Sequence, residues 1–386
     1  MMNTHRLLIG ISVVGALSLL TVRGLDAHKG ITSKYTYNDD VFPILRDKCG
    51  RCHVDGGAAP MSLMSYGVQS GAVAWAESIR ENLVSEAMPP WYADPAGPAV
   101  RGGHVLSPRE LDIVVTWATG GTPQGDQRKT PAPMKAHEDW SLGKPDLVLQ
   151  LPQESTLGPG QMEKSMDFAI PTALGAARWV KAIDLLPGTP SLVRSATIAV
   201  EHGPVIAAWE PGSDAVVAPA GAAFKLDAGA TLLAHIRYKK SYLEEQETKT
   251  DRSALGLYFA DPTPSMRDIQ SFTVKGSADE SPATAARTFS ATFGKGGRLI
   301  ALYPSVDKPY ATMRIDAVAS SGRRTTLLRL RGIRPEWPRQ YWLVNPVDLP
   351  PGVSIEVSTT PSDPDSGPLA APVKSPLEIA LDFVPL

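Results

Sequence analysis

The stretch Cys49-Gly50-Arg51-Cys52-His53 constrains this chain more than any other. Two thiols three residues apart project from one helical turn, and an imidazole follows at once. That spacing suits the covalent attachment of a c-type haem. The thiols form thioethers with the two vinyl groups, and His53 becomes a fixed axial ligand of the iron. A disulfide or half of a zinc site uses the same two cysteines. Cys49 and Cys52 are the only cysteines in the 386 residues, so a four-cysteine zinc site cannot be built from this chain. A thioredoxin-like site leaves His53 unexplained and needs a βαβ setting that the pattern lacks.

The N-terminus reads as an export signal, which suits haem attachment outside the cytoplasm. Arg6 gives a positive start, and Leu7 to Val22 is an uncharged apolar run of 16 residues. The run is long for a signal core and short of the roughly 20 residues a spanning helix needs. Ala16-Leu17-Ser18 and Leu25-Asp26-Ala27 are both poor cleavage sites. Residues 1–27 are therefore a cleaved signal or an uncleaved anchor through 7–22, and the rest of the chain is expected to be periplasmic. The net charge of −2 gives no basis for a nucleic-acid partner.

Residues 36–126 read as helical. Asp40 to Lys48 leads into the haem motif with Val41, Ile44 and Leu45 at helical spacing. Val68 to Ser85 is predicted as a second helix, with Val73, Ala76, Ile79 and Leu83 on one face. A third is predicted from Ser107 to Thr119, with Ser107 as N-cap, Pro108 at the first position and Glu110 closing a capping box. Leu111, Val114, Val115 and Ala118 form its stripe, and Gly120-Gly121 ends it. Three helices around one haem is the expected build of a small all-α class I cytochrome c domain. Met88, followed by Pro89-Pro90, is the expected second axial ligand, since a thioether opposite His raises the haem potential. Met61, Met64, His104 or an open site are the alternatives.

Four separate motifs carry a resemblance. They are Cys49 to His53, Pro60-Met61-Ser62-Leu63, Met88-Pro89-Pro90-Trp91-Tyr92-Ala93-Asp94, and Leu106-Ser107 with the helix running into Gly120 to Asp126. Together they resemble a cytochrome c domain of exported bacterial proteins. That domain often precedes one similar to the copper type II ascorbate-dependent monooxygenases, the peptidylglycine hydroxylating monooxygenase and dopamine hydroxylase family.

Residues 127–139 read as a polar, Pro-containing linker. Beyond it, segments such as Asp146 to Leu151, Leu192 to Val200 and Ser354 to Val357 read as strands. Pro187-Gly188, Pro211-Gly212 and Pro351-Gly352 separate strands as turns. The expected fold class is multidomain: the all-α cytochrome domain, then two all-β jelly-roll-like sandwiches over 140–262 and 263–386. Lys144 to Leu147, Leu186-Pro187-Gly188 with Val193, Asp251 to Phe259, and Trp337, Gln340 and Tyr341 with Leu349 to Gly352 resemble the monooxygenase domains.

The resemblance fails at the copper ligands. The family places a His-His pair where this chain has Arg194-Ser195, and a His where it has Arg237. It places a His-x-His where this chain has Ser305-Val306-Asp307, and a Met near Leu377 to Ile379, where none occurs. From Trp140 onward only His202 and His235 remain. Copper needs imidazole or thioether donors, and a guanidinium stays protonated. His235 lies two residues from Arg237, on the same strand face, and reads as a hydrogen-bonded histidine. His202 and His137 read as surface residues. Asp363 and Asp365 around Pro364 read as a solvated loop, and Lys239 to Asp251 as a charged hairpin tip able to dock a partner. No G-x-S-x-G, H-E-x-x-H or P-loop occurs.

The resemblance thus implies one covalent haem c, no copper and no enzyme. The expected function is a c-type cytochrome that transfers electrons or serves as an accessory subunit. Its partner would be a membrane energy-converting complex, respiratory or photosynthetic, or another redox protein. Membrane association would come from the N-terminal segment or from that partner. A haem-coupled copper monooxygenase and a purely structural subunit are the alternatives.

Overall fold

The computed structural model describes residues 32–90, 93–103, 105–132, 134, 136, 138–276, 286–362 and 377–386. The N-terminal signal or anchor, Trp91, Tyr92, His104, His137 and the Asp363–Asp365 loop lie outside the described residues.

The described chain is mostly β. Four sheets of four or five strands dominate, in a four-blade, propeller-like arrangement. This corrects the expected fold class: no small all-α class I cytochrome domain precedes two jelly-roll-like sandwiches. The physical reason lies in residues 36–126. Among the described residues there, the helices are only α1 (Phe42–Lys48), α2 (Ala76–Val84) and α3 (Pro108–Thr119), with a π turn at Tyr37–Val41 before α1. Much of the remaining segment is irregular chain.

The predicted second helix loses its first half. Residues 68–75 are turns, because Gly67 and Gly71 close on one another and Gly71 sits against Ser65, where a Cβ would approach the Ser65 carbonyl oxygen to 2.5 Å. Helix α2 starts after Trp75 without a side-chain cap and buries Ala76, Ile79 and Leu83. Helix α3 forms as its caps dictate. Glu110 N–H donates to Ser107 Oγ at 3.2 Å and Ser107 N–H donates to Glu110 Oε2 at 2.7 Å. It ends at Gly120, whose backbone lies so close to Ser33 that a Cβ would meet the Ser33 nitrogen at 2.6 Å. Val114 and Trp117 are fully buried. Tyr37 sits centrally, 5.6–6.0 Å from the rings of Phe42, Tyr66 and Trp117, and its hydroxyl donates to Leu63 O.

The first sheet orders its strands Leu147–Gln150, Ala254–Ala260, Arg178–Leu186, Ala222–Leu226 and Arg267–Asp268. The second orders Glu163–Pro171, Thr231–Lys239, Val193–Val200 and Val205–Trp209. Inward residues of both share one core, including Val180, Leu185, Phe168, Ile198, Ile236 and Leu257. The third sheet orders Gln270–Lys275, Glu378–Val384, Gly297–Ser305 and Tyr341–Leu349. The fourth orders Arg287–Phe293, Val353–Pro361, Tyr310–Val318 and Arg324–Ile333, and it shares a second core with the third. Strand alternation shows directly in Thr231–Lys239, where Leu232, Ala234, Ile236 and Tyr238 are buried while the residues between them face outward.

The helical segment is not a free appendage. Ala93 and Val100 make single bridges to Leu330 and Leu343 of the fourth and third sheets. Asp94 N–H donates to Arg329 O, and the buried Asp94 carboxylate lies 3.2–3.3 Å from Arg331 and Arg329. The Ala96 N–H, the largest of the effects, and these two cations hold its pKa below the usual carboxylate value. The expected linker is packed down as well. Met134 and Ala136 lie against the helical core, and Ala136 N–H donates to Asp55 O.

Candidate haem attachment site

Helix α1 delivers the motif. Cys49 is its C-cap, with its N–H donating to Leu45 O. Gly50 follows because a Cβ there would meet the Arg46 carbonyl oxygen at 2.5 Å. Cys52 and His53 then both donate their N–H groups to Cys49 O, at 3.1 and 2.9 Å. The two cysteines and His53 therefore belong to one tight turn, as the spacing predicts. Both cysteines are free thiols.

Burial sets the charge state of all three. It pushes the Cys49 thiol up to about 12, aided by the neighbouring Cys52. It raises Cys52 too, against the opposing pull of Arg51, Arg194 and Arg339. Both therefore stay protonated at neutral pH, unlike the thiolates of reactive redox or zinc cysteines. A neutral sulfur, free thiol or thioether, suits that setting. Burial also lowers the His53 pKa, so its ring is neutral, the form that binds iron. His53 Nδ1 lies 3.2 Å from Met61 O. With that carbonyl as acceptor the proton sits on Nδ1, and Nε2 keeps its lone pair for a metal. The donor set and the fixed ring therefore fit a covalent haem.

Met88 is placed less favourably. It follows α2, with its N–H donating to Asn82 O, and is 39% exposed. It is not part of the helical core, whereas Met64 is buried in that core and Met61 packs against it. The sequence signal for Met88 is its position before two prolines, which says nothing of where the side chain is buried.

The motif docks on the turn between the strands Val205–Trp209 and Ala222–Leu226. Arg51 Nε donates to Gly212 O at 2.8 Å, and Cys52 Sγ lies 3.9 Å from Pro211 O. Gly212 has φ +64°, and a Cβ there would meet the Arg51 carbonyl oxygen at 2.6 Å. At the base of this turn the buried Glu210 carboxylate pairs with Arg339. A cleft lined by Arg51, Glu210, Arg339, Gln340 and Trp342 opens beside it.

The expected copper positions separate into two places. Arg194 and Ser195 lie on Val193–Val200, where Ser195 is paired in register with Arg237 across a β-bulge. Arg194 is 7% and Ser195 4% exposed. Arg194 Nη1 donates to Ser191 O at 2.7 Å, and burial lowers its pKa to about 10, which leaves it charged at neutral pH. Arg237 Nε donates to Glu163 Oε1 at 2.5 Å. His235 Nδ1 lies 2.7 Å from Asp167 Oδ1, the hydrogen-bonded histidine expected. Ser305 ends the strand Gly297–Ser305. Asp307 accepts from Tyr310 Oη at 2.7 Å and from Arg287 at 3.1 Å. Among the described residues no group of three or more His, Cys, Asp or Glu is arranged to hold a metal ion, and no helix is long and apolar enough to cross a membrane.

Sequence reasoning missed the docking of the motif on the turn at 211–212. The Pro-Gly dipeptide marked a turn, but nothing local marked what the turn touches.

No family model and no curated protein sequence matches the chain. Solved structures similar to it are remote. The turret protein A223 of Sulfolobus turreted icosahedral virus is 10% identical with a TM-score of 0.18, covering 62% of this chain and 100% of its own. Allantoicase is 8% identical with a TM-score of 0.19, covering 56% and 76%. The PBSX exported protein XepA is 10% identical with a TM-score of 0.17, covering 61% and 91%. Likenesses at this level carry no argument about fold or function, so the chemistry of the Cys49–His53 turn is the ground on which a function is assigned.

Proposed function

We propose that the protein is an exported monohaem c-type cytochrome and that it serves as an electron-transferring or accessory subunit of a membrane energy-converting complex. The observation that carries this reading is the Cys49-Cys52-His53 turn, with a neutral His53 held by Met61 O so that Nε2 is free to ligate. When bound, the haem supplies reversible one-electron transfer. Cys49 and Cys52 would hold it covalently and His53 would ligate its iron. Met88 is the expected second ligand, and would have to turn its exposed side chain inward. The chain's remaining work is to keep His53 neutral and oriented, through burial and the Met61 carbonyl.

The sheets support a docking rather than a catalytic role. Where copper ligands are expected by resemblance, Arg194 and Arg237 are cations with hydrogen-bond partners of their own. On this reading the sheets' surfaces serve for binding to a respiratory or photosynthetic complex, since a fold's function lies in its site residues and not in its scaffold.

The test is secretion with the haem-attachment machinery, then denaturation and acidic organic extraction. Haem that stays with the chain, and is lost in the Cys49→Ala/Cys52→Ala variant, supports the reading. Haem-free protein from a host that loads a control cytochrome overturns it. Native-gradient separation of a mild-detergent extract then tests the partner: comigration of the haem stain with a large membrane complex is expected. A free, copper-loaded species would instead assign a monooxygenase.

A further inference from the structure

Tyr242 and Leu243 are 58% and 67% exposed, and among the described residues they are the one consecutive pair of exposed large apolar side chains. They stand on the 3-10 turn Tyr242–Glu244, which follows the strand Thr231–Lys239 of the second sheet. Single exposed apolar residues are ordinary on a protein surface. Two held side by side on a rigid support have the build of a binding anchor.

The support is fixed from below. Lys240 is 2% exposed, and its Nζ donates to the Gly158, Glu245 and Glu247 carbonyls at 2.8–2.9 Å. Gly160 N–H donates to Glu245 O at 2.9 Å, tying the turn to the chain ahead of the strand Glu163–Pro171. Leu243 N–H donates to Ser241 Oγ at 3.3 Å, and Ser241 N–H donates to Glu244 Oε2 at 3.1 Å. A turn so pinned loses little conformational freedom when its apolar side chains are covered. The charge around the pair is acidic. Residues 241–249 carry Glu244, Glu245 and Glu247 against Lys249, which lies 2.9 Å from Glu244 and 3.1 Å from Glu247. The other cations nearby offset little of this at the surface. Lys240 is buried beneath the turn, Lys239 lies 3.8 Å from Glu163, and Arg194, whose charge also reaches Glu244, is 7% exposed.

Resting on the accessory-subunit reading above, we propose that Tyr242 and Leu243 are the anchor by which the chain docks on its membrane complex. The anchor seats in an apolar pocket of a partner protein, bordered by Lys or Arg. Complementary charge selects that partner, because a basic rim attracts the three carboxylates and an acidic rim repels them. The same carboxylates disfavour a lipid surface, whose anionic headgroups attract basic segments. Covering the two apolar side chains supplies the affinity, and each is worth on the order of tenfold or more in binding. The charged segment thus divides its work: the apolar pair binds, and the carboxylates around it steer.

The probe is the membrane fraction of source cells lacking this chain. The purified full-length protein is added back, and binding is measured by sedimentation. Leu243→Asp and Tyr242→Ser are expected to weaken binding by about tenfold or more with the urea unfolding midpoint unchanged. Leu243→Ser carries the same test should the aspartate variant not fold. Glu245→Lys is expected to slow association and to flatten its dependence on salt. Val148→Asp, at an exposed position on the first sheet, is expected to bind as the unaltered protein does. Variants at 242 and 243 that bind within about twofold of the unaltered protein would overturn the proposal, as would an equal loss in Val148→Asp. Equal binding to protein-free vesicles of phosphatidylglycerol and phosphatidylethanolamine would overturn it too, because the occupant would then be lipid. An unaltered protein that binds no membrane would end the membrane-complex reading itself, so the two failures are told apart.

Discussion

Asp382 gives the sharpest test of how this fold manages buried charge. It lies on the strand Glu378–Val384, fully buried, in register with Ser271 and Ala301 on the two flanking strands. Gln340 Nε2 donates to its Oδ2 at 2.6 Å, and Gln340 Oε1 accepts from Trp342 Nε1 at 3.2 Å. Oδ1 has no hydrogen-bond partner among the described residues. Burial therefore dominates and pushes the carboxyl from its ordinary 3.8 up to about 7, against the opposing pull of the Gln340 and Ser271 side chains. Below about pH 3.8 both folded and unfolded chains hold the proton, and the group costs nothing. Between 3.8 and 7 only the folded chain keeps it, so stability falls by about 1.4 kcal/mol per pH unit. Above about 7 the loss is complete, on the order of 2–4 kcal/mol once relaxation around the carboxylate is allowed for. Asp382→Asn keeps the shape and cannot ionise. Thermal and urea unfolding should place the variant near the unaltered protein at pH 4 and ahead of it by about that amount at pH 8. Parallel stability curves from pH 5 to 8 would refute the reasoning.

Gly212→Ala places a Cβ against the Arg51 backbone at a positive φ, so it should cost about 1–3 kcal/mol and speed proteolysis between the helical segment and the sheets. Lys240 is 2% exposed and donates to the carbonyls of Gly158, Glu245 and Glu247 at 2.8–2.9 Å. Lys240→Met strands all three, and hydrogen exchange should accelerate across residues 241–249 with a loss of about 2–4 kcal/mol. Ser107→Ala removes one half of the α3 capping box and should lower stability by about 1 kcal/mol in urea unfolding, with Ser107→Asp restoring most of it.

Local chemistry was readable from residues alone. The tight turn at Cys49–His53, the Ser107–Glu110 cap, the strand at Val193–Val200 and the hydrogen-bonded His235 depend on neighbours within a few positions, or on one strand's alternation. The second helix was over-read because its apolar spacing continues upstream of Ala76. There Gly67 and Gly71 pack on Ser65 and win over periodicity. The all-α domain failed for a related reason. Three helical patterns do not reveal that the chain between them is irregular, or that residues 93–100 are bridged to the third and fourth sheets.

The sequence by itself determined which sulfur and nitrogen atoms are available and in what order, because covalent spacing fixes the Cys49–His53 turn. It also determined that only two histidines, His202 and His235, occur from Trp140 onward. Only the tertiary structure decided what surrounds those atoms. Burial of His53 and the cysteines, exposure of Met88 and docking on Gly212 depend on residues far apart in the chain. Desolvation and Coulomb interactions depend on distance in space, and no periodicity along a sequence encodes that distance.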